Sequence, residues 1–277
     1  MSHRDELGAA EPLPRGKATY AAGRGLALVT LTNPPANGYS YDMMRDLDEA
    51  VLRARFDDDV QVVVLAGAGE RFFCAGADIS MLGEVTPAFK YAFCLHANET
   101  LLRLEHTPKL VIAALGGHCV GGGLEIALAA DLRVARRGSG KCGLPEVSLG
   151  VLPGTGGTQR LARQVGASRA IELMASGRTF DYDEAERLGI VERQIDAADD
   201  AAFLEEVLAY AASFCSPGRA ALSVGLIKRA VKSGSEMPLE QGLALERELQ
   251  ARLFASGDAR EGIAAFLEKR EAQFQGR

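Results

Sequence analysis

The chain has 277 residues, 47% hydrophobic and 25% charged, a composition that suits one large globular domain, or one domain with a short appendage. Its formal net charge of −6 argues against a general nucleic-acid or membrane-surface binder, while leaving room for a local basic cluster that holds an anionic small molecule. No apolar run reaches the roughly 18 residues of a membrane-spanning helix. Five scattered cysteines (Cys74, Cys94, Cys119, Cys142, Cys215) form no C-x-x-C pair, which excludes the usual zinc and disulfide frameworks and suits free thiols in a reducing cytoplasm.

Residues 1–19 contain acidic side chains and prolines but no apolar core segment. They read as a loose lead-in and not as a secretory leader. The β-branched run at 25–33 predicts a strand ending at Asn-Pro-Pro. Residues 41–57 place apolar side chains at helical spacing. The run at 60–69 is continuously apolar, as in a strand buried on both faces. A helix follows over 89–106, broken at Pro108, then a second buried strand at 110–115. Helix 122–131, strand 132–137 and helix 165–177 come next. A helix within 180–189 starts with Asp181 or Asp183 as cap and stops at Gly189. This alternation predicts an α/β layered fold from residue 25 to about 195. From residue 201 onward the pattern holds three or so amphipathic helices and no strand.

Helix 122–131 poses a chemical question. Glu125 stands in its first turn, and residues 126–130 are all apolar. Such a helix is a buried one, and a buried carboxylate is costly unless something pairs with it or uses it. The bland reading is a first-turn glutamate favoured by the helix dipole. A second carboxylate, Glu146, stands in the otherwise apolar, glycine-rich stretch GLPEVSLGVLPG. Two carboxylates beside glycine-rich loops suit general acid–base work. Three such loops are present: FFCAGADISM (72–81), GGHCVGGGLE (116–125) and LPGTGGTQRL (152–161). Amides around Ala77 and around Gly122 are candidates for an oxyanion hole. None of the loops has the order of a phosphate loop or a dinucleotide fingerprint. His118 and Cys119 are adjacent in an extended segment and point opposite ways, so they form no nucleophilic dyad. His96 and His106 read as surface or packing residues, and no spacing supports a metal site.

GGGLEIALAADLRVA followed by GLPEVSLGVLPGTGGTQRLARQVG resembles the signature of the crotonase family, the enoyl-CoA hydratase/isomerase group. FFCAGADISML, NPPANGYS and AREGIAAFLEKREAQFQG resemble that family's first oxyanion segment, its early turn at the coenzyme A site and its C-terminal ending. The resemblance runs from about residue 20 to 276. It implies a spiral of ββα turns forming two sheets over residues 20–200, and a C-terminal helical region, 201–277, that builds trimers, often paired into hexamers. It also implies that the amides of Ala77 and Gly122 hold the thioester oxygen. Glu125 would activate the water that attacks C3, Gly154 N–H would help orient that water, and Glu146 would exchange the proton at C2. Coenzyme A, part of the substrate and not a separate cofactor, would lie against Ala36, Ala75, Ala77, Asp78 and Ile79. Lys269 and Arg270 are candidates for its basic contact. Three positions depart from the family pattern: Ser80 where hydratases often carry lysine, Leu144 where a polar residue often precedes the Pro-Glu pair, and Leu124 where other residue types occur.

The resemblance leaves the reaction to be decided by the site. With both glutamate positions filled, 2-enoyl-CoA hydratase leads. A Δ3-Δ2-enoyl-CoA isomerase, or another acyl-CoA lyase or hydrolase of the family, is the alternative, since isomerases tend to lack the Glu125 counterpart. A binding protein without turnover is the third reading, and the two retained carboxylates argue against it. Residues 80–105, Phe89, Tyr91 and Phe93 among them, are expected near the acyl end of the substrate.

Overall fold

The apolar β-branched runs become the middle of a parallel sheet. A computed structural model describes residues 2–277, the side chain of Ser80 excepted. In chain order the elements are β1 (Glu11–Pro12), β2 (Ala18–Gly23), β3 (Leu26–Leu31), α1 (Tyr41–Phe56), β4 (Val62–Gly67), β5 (Phe72–Cys74), α2 (Ile79–Glu84) and α3 (Pro87–His106). There follow β6 (Leu110–Leu115), β7 (His118–Val120), α4 (Gly122–Ala129), β8 (Leu132–Arg136), β9 (Lys141–Gly143) and a 3₁₀ turn at Glu146–Leu149. The rest are α5 (Gly157–Val165), α6 (Ala167–Ser176), β10 (Phe180–Asp181), α7 (Tyr182–Arg187), β11 (Arg193–Ile195), α8 (Asp200–Ala212), α9 (Ala221–Gly234), α10 (Leu239–Phe254) and α11 (Gly257–Glu268).

Two sheets result. One has the order β1-β2-β3-β4-β6-β8-β11, and the other β10-β9-β7-β5. Each turn of the chain lays one strand in each: β4 then β5, β6 then β7, β8 then β9. Within both sheets these successive strands pair in parallel. Helices return the chain between turns, which makes the repeated ββα spiral. The larger sheet is buried on both faces, as its unbroken apolar strands predict. Val63, Leu65, Val111 and Ala113 face α1, α3 and α4, while Val62, Val64, Ile112 and Val134 face α8.

Local signals hold where a cap is visible. Ser40 accepts from Met43 N–H at the start of α1, and Thr86 accepts from Phe89 N–H at the start of α3. Asp181, not Asp183, caps α7; Asp183 instead accepts from Arg137 and Gln194. Two readings change. Part of the supposed lead-in adds strand β1 and the start of β2 to the sheet, because Leu13 and Ala18 are buried in the core and Asp46 receives the N–H groups of Arg15 and Lys17. The boundary expected at residue 201 falls at the start of α8, yet Phe203, Val207, Leu208 and Ala211 of that helix are core residues packed on the sheet. Four helices occupy the region from residue 200, in line with the three or so expected, and only α9–α11 lie beyond that core layer.

Candidate active site

Three loops converge at the end of α4. The segment after β5 is zipped to the turn before α1: Ala75 N–H donates to Ala36 O, Tyr39 N–H to Gly76 O and Asp78 N–H to Tyr39 O. Ala36, Ala75, Ala77 and Asp78 are thereby brought together, while Ile79 is exposed. The same segment touches the start of α4. A Cβ on Gly76, whose φ is +90°, would lie 3.3 Å from Gly122 N and 3.1 Å from Val120 O. Only glycine fits this approach. Gly122 is the first residue of α4, where N–H groups lack helical partners. The amides of Ala77 and Gly122 donate to no acceptor among the described residues. Neighbouring backbone thus presents two free donors, one of them at the positive end of a helix.

Every residue of α4 is buried, Glu125 with it at 1% exposure. Its Oε1 accepts the N–H of Thr155 and the N–H of Gly157, both at 2.7 Å. Those amides come from the glycine-rich turn before α5, which also carries Gly154, another N–H without an acceptor among the described residues. Burial pushes the Glu125 carboxyl above the ordinary range; the Gly157 and Thr155 donors and the Lys90 charge pull against it.

Glu146 opens the 3₁₀ turn after β9. A Cβ on Gly121 would lie 3.0 Å from Glu146 Oε1, so this carboxyl borders the glycine turn that opens α4. Its Oε2 is buried with no hydrogen-bond partner among the described residues. Burial, and then the charge of Glu125, push its carboxyl up to about 7. One acid is held by amides and the other is left with an unpaired oxygen. The two like side chains thus sit in unlike environments, as a general acid–base pair requires.

Residues 21–277 match the family model described as enoyl-CoA hydratase/isomerase. The chain belongs to that family, the crotonases. It is 38% identical over 259 residues to a probable enoyl-CoA hydratase of Bacillus subtilis, covering 93% of this chain and 98% of the relative. It is 34% identical over 250 residues to the crotonyl-CoA hydratase of Syntrophomonas wolfei, covering 90% and 94%. Its fold is similar to a crystal structure of an enoyl-CoA hydratase from Geobacillus kaustophilus, with a TM-score of 0.91 at 44% identity, over 94% of this chain and 97% of that one.

Other expected residues sit less centrally. Leu144, at 2% exposure, is part of the apolar core. Phe93 is buried and its ring lies 5.5 Å from that of Tyr39, Phe89 is partly exposed, and Tyr91 is exposed. Lys269 closes α11 in the left-handed region with φ +57°, its N–H bonded to helix carbonyls. Arg270 is engaged by Glu261 and Glu268. His118 and Cys119 do fall on opposite faces of β7, with His118 partly exposed and Cys119 buried. Two site residues escape a reading of the sequence: Tyr39 and Thr155, whose hydroxyls are 2.9 Å apart and buried.

Proposed function

We propose that this chain is a 2-enoyl-CoA hydratase, adding water across the 2,3 double bond of the thioester to give the 3-hydroxyacyl-CoA, and reversing the reaction. One observation carries the reading: Glu125, held by two amides, and Glu146, pushed up to about 7, border one pair of unspent loop amides. The thioester oxygen accepts from Ala77 N–H and Gly122 N–H, which draws electrons from C3 and stabilises the enolate that forms. Such a donor is typically worth about 10²–10³ in rate. Glu125 keeps Oε1 on its amides and uses Oε2 for water, with Gly154 N–H orienting the same molecule. The water oxygen bonds C3 as its proton passes to Glu125. Glu146 gives its proton to C2, and the two carboxyls return to their starting states by exchange with solvent. Dehydration runs the same steps backward.

Both carboxylates in place favour hydration over double-bond migration, which needs one. The adenosine end of coenzyme A takes the Ala36, Ala75, Asp78 and Ile79 side of the zipped loops, with Lys269 as its basic contact. Helices α9–α11 build a trimer or a hexamer, supported by the exposed Leu239, Phe254, Phe266 and Leu267. The enzyme works in the cytoplasm, in keeping with five free cysteines.

The test is the ultraviolet loss of the conjugated thioester when purified protein meets crotonyl-CoA, beside Glu125→Gln and Glu146→Gln. The parent is expected to bleach the signal and both variants to lose about 10²–10⁴ in rate. A parent inert toward crotonyl-CoA and a longer 2-enoyl-CoA overturns the reading, and turnover of a 3-enoyl-CoA then assigns the isomerase.

A further inference from the structure

Tyr39 touches every part of the site without carrying a group that the reaction consumes. Its backbone holds the Ala77 loop, through Tyr39 N–H to Gly76 O and Asp78 N–H to Tyr39 O. Its ring covers Gly122 so closely that a Cβ there would fall 1.8 Å from Tyr39 Cε1. Its hydroxyl lies 2.9 Å from Thr155 Oγ1, across 116 residues of sequence. Thr155 in turn gives its N–H to Glu125 Oε1 at 2.7 Å. Tyr39 and Thr155 are 3% and 1% exposed, so water does not substitute for either hydroxyl. The hydroxyl pair thus ties the residue whose N–H holds Glu125 to the turn that carries the Ala77 loop.

We infer that Tyr39 and Thr155 are positioning residues, a relay in which the paired hydroxyls fix Thr155 so that its N–H orients the Glu125 carboxylate toward its water. The inference rests on the hydratase reading for the role of Glu125, and on geometry for the relay. Without the hydroxyl pair Gly157 still holds Oε1, but Thr155 is free to shift and its N–H weakens as a donor to the carboxylate. The charged groups facing Glu125 are Lys90 from α3 and Glu146 from the 3₁₀ turn. Neither is altered by changes at Tyr39 or Thr155. Burial keeps the phenol protonated well above its ordinary range, so it remains a donor throughout.

The experiment compares Tyr39→Phe, Thr155→Ala, Thr155→Ser and the Tyr39→Phe/Thr155→Ala double variant. Tyr39→Phe keeps the backbone zip and the ring over Gly122 and removes one hydroxyl. Weakening a donor to the charged form raises the carboxyl pKa. The acid limb of kcat/KM is expected to move up by about half to one pH unit, the size of one hydrogen bond. Near neutral pH kcat falls about tenfold with KM within twofold, the mark of orientation lost in the transition state. Thr155→Ser restores the parent profile, and the double variant falls no further than the worse single one, because both act through one relay. A ¹³C-carboxyl NMR titration, with Glu125 assigned by its loss in Glu125→Gln, reads the same shift without substrate. It separates the relay from the hydratase reading: a protein that fails to hydrate still titrates. An unmoved Glu125 titration in both single variants, or effects that multiply in the double variant, or a serine that does not rescue, assigns both hydroxyls to packing and overturns the relay.

Discussion

Gly157 gives its N–H to Glu125 Oε1 at 2.7 Å, and a Cβ built on Gly157 would fall 3.0 Å from that same oxygen. It would also fall 2.9 Å from Pro153 Cβ. Donor and wall are one residue, so the amide that holds the carboxylate can approach it only while the side chain is hydrogen. Gly157 is helical, so alanine there meets no backbone penalty and adds helix propensity. Gly157→Ala is therefore expected to cost activity far more than stability. Displacing the carboxylate by a few tenths of an ångström should lower kcat about 10²-fold, with the melting temperature within a few degrees of the parent. Paired kinetics and thermal unfolding check this, and a variant that loses both equally would make Gly157 a packing residue.

Glu146 sets the pH dependence. Its carboxyl, pushed up to about 7 by burial and by Glu125, is protonated below that pH and able to donate. Hydration needs the pair's one proton on Glu146 and dehydration needs it on Glu125, so kcat/KM in both directions should fall as pH rises through about 7 and the pair loses that proton. Because the overall reaction takes up no proton, kcat/KM measured in the two directions across pH 5–9 should give the same limbs, and opposite limbs would overturn the shared-proton assignment. The limbs belong to the glutamate pair and not to one member. The raised pKa also bears on folding. Between its unfolded value, about 4.5, and about 7 the native state holds the extra proton, so the contribution of Glu146 to stability is intact below 4.5 and is lost as pH climbs through 7. Glu146→Gln removes that loss. Its melting temperature should exceed the parent's by roughly 2–4 °C at pH 8, the shift about 1 kcal/mol gives in a chain of this size, and match it at pH 5.

Much of this was legible before the fold was known. Glu125 announced itself because α4 is apolar on every side, a pattern that means burial and makes a carboxylate conspicuous. The strands of the large sheet were visible as long apolar runs. The small sheet was not. β5, β7 and β9 are three residues each, too short to show alternation, and the row they form shows only as the register Cys74–Cys119–Cys142. Those short strands carry the loops with Ala77, Gly122 and Glu146 side by side, so residues alone nominate the site's members without assembling them. Tyr39 and Thr155 left no signal, since an aromatic residue in a turn and a threonine between glycines have many ordinary uses. The order in residues 11–20 was equally hidden: its few apolar side chains are enough to extend a sheet that already exists, though not to suggest one.

Lys228 anchors the C-terminal helices to the core. Its ammonium, on α9, lies 2.8 Å from Asp131 Oδ2 and donates to Leu104 O and Lys109 O. The lysine and aspartate side chains are 3% and 8% exposed. Removing one member of a buried pair strands the other charge, a cost of about 3–5 kcal/mol. Lys228→Met should lower the melting temperature by about 10 °C. Adding Asp131→Asn should recover most of it, because the stranded charge and not the lost attraction carries the penalty. Thermal unfolding of the two variants decides this; a double variant no better than the single would place the cost in the lysine's bonds to the two carbonyls.

Two neighbouring cations at the end of α11 should behave differently. Arg270 bonds both oxygens of Glu261, at 2.6 and 3.0 Å, and Glu268 at 2.6 Å. Glu261 also accepts Gln273 N–H, so this cluster ties the C-terminal tail to the helix. Arg270 holds the Glu261 carboxyl down to about 2, so what that pairing adds to stability is present above the ordinary carboxylate range and lost only as pH falls toward 2. A guanidinium so engaged has few donors left for a phosphate. Lys269 is exposed and forms no ion pair among the described residues. Lys269→Ala should raise KM for an acyl-CoA severalfold with kcat unchanged, an effect that shrinks as salt screens the charge. Arg270→Ala should leave KM alone and lower the melting temperature slightly. Steady-state kinetics with crotonyl-CoA at two ionic strengths separates the pair, and a KM that rises only in the arginine variant would move the basic contact from Lys269 to Arg270.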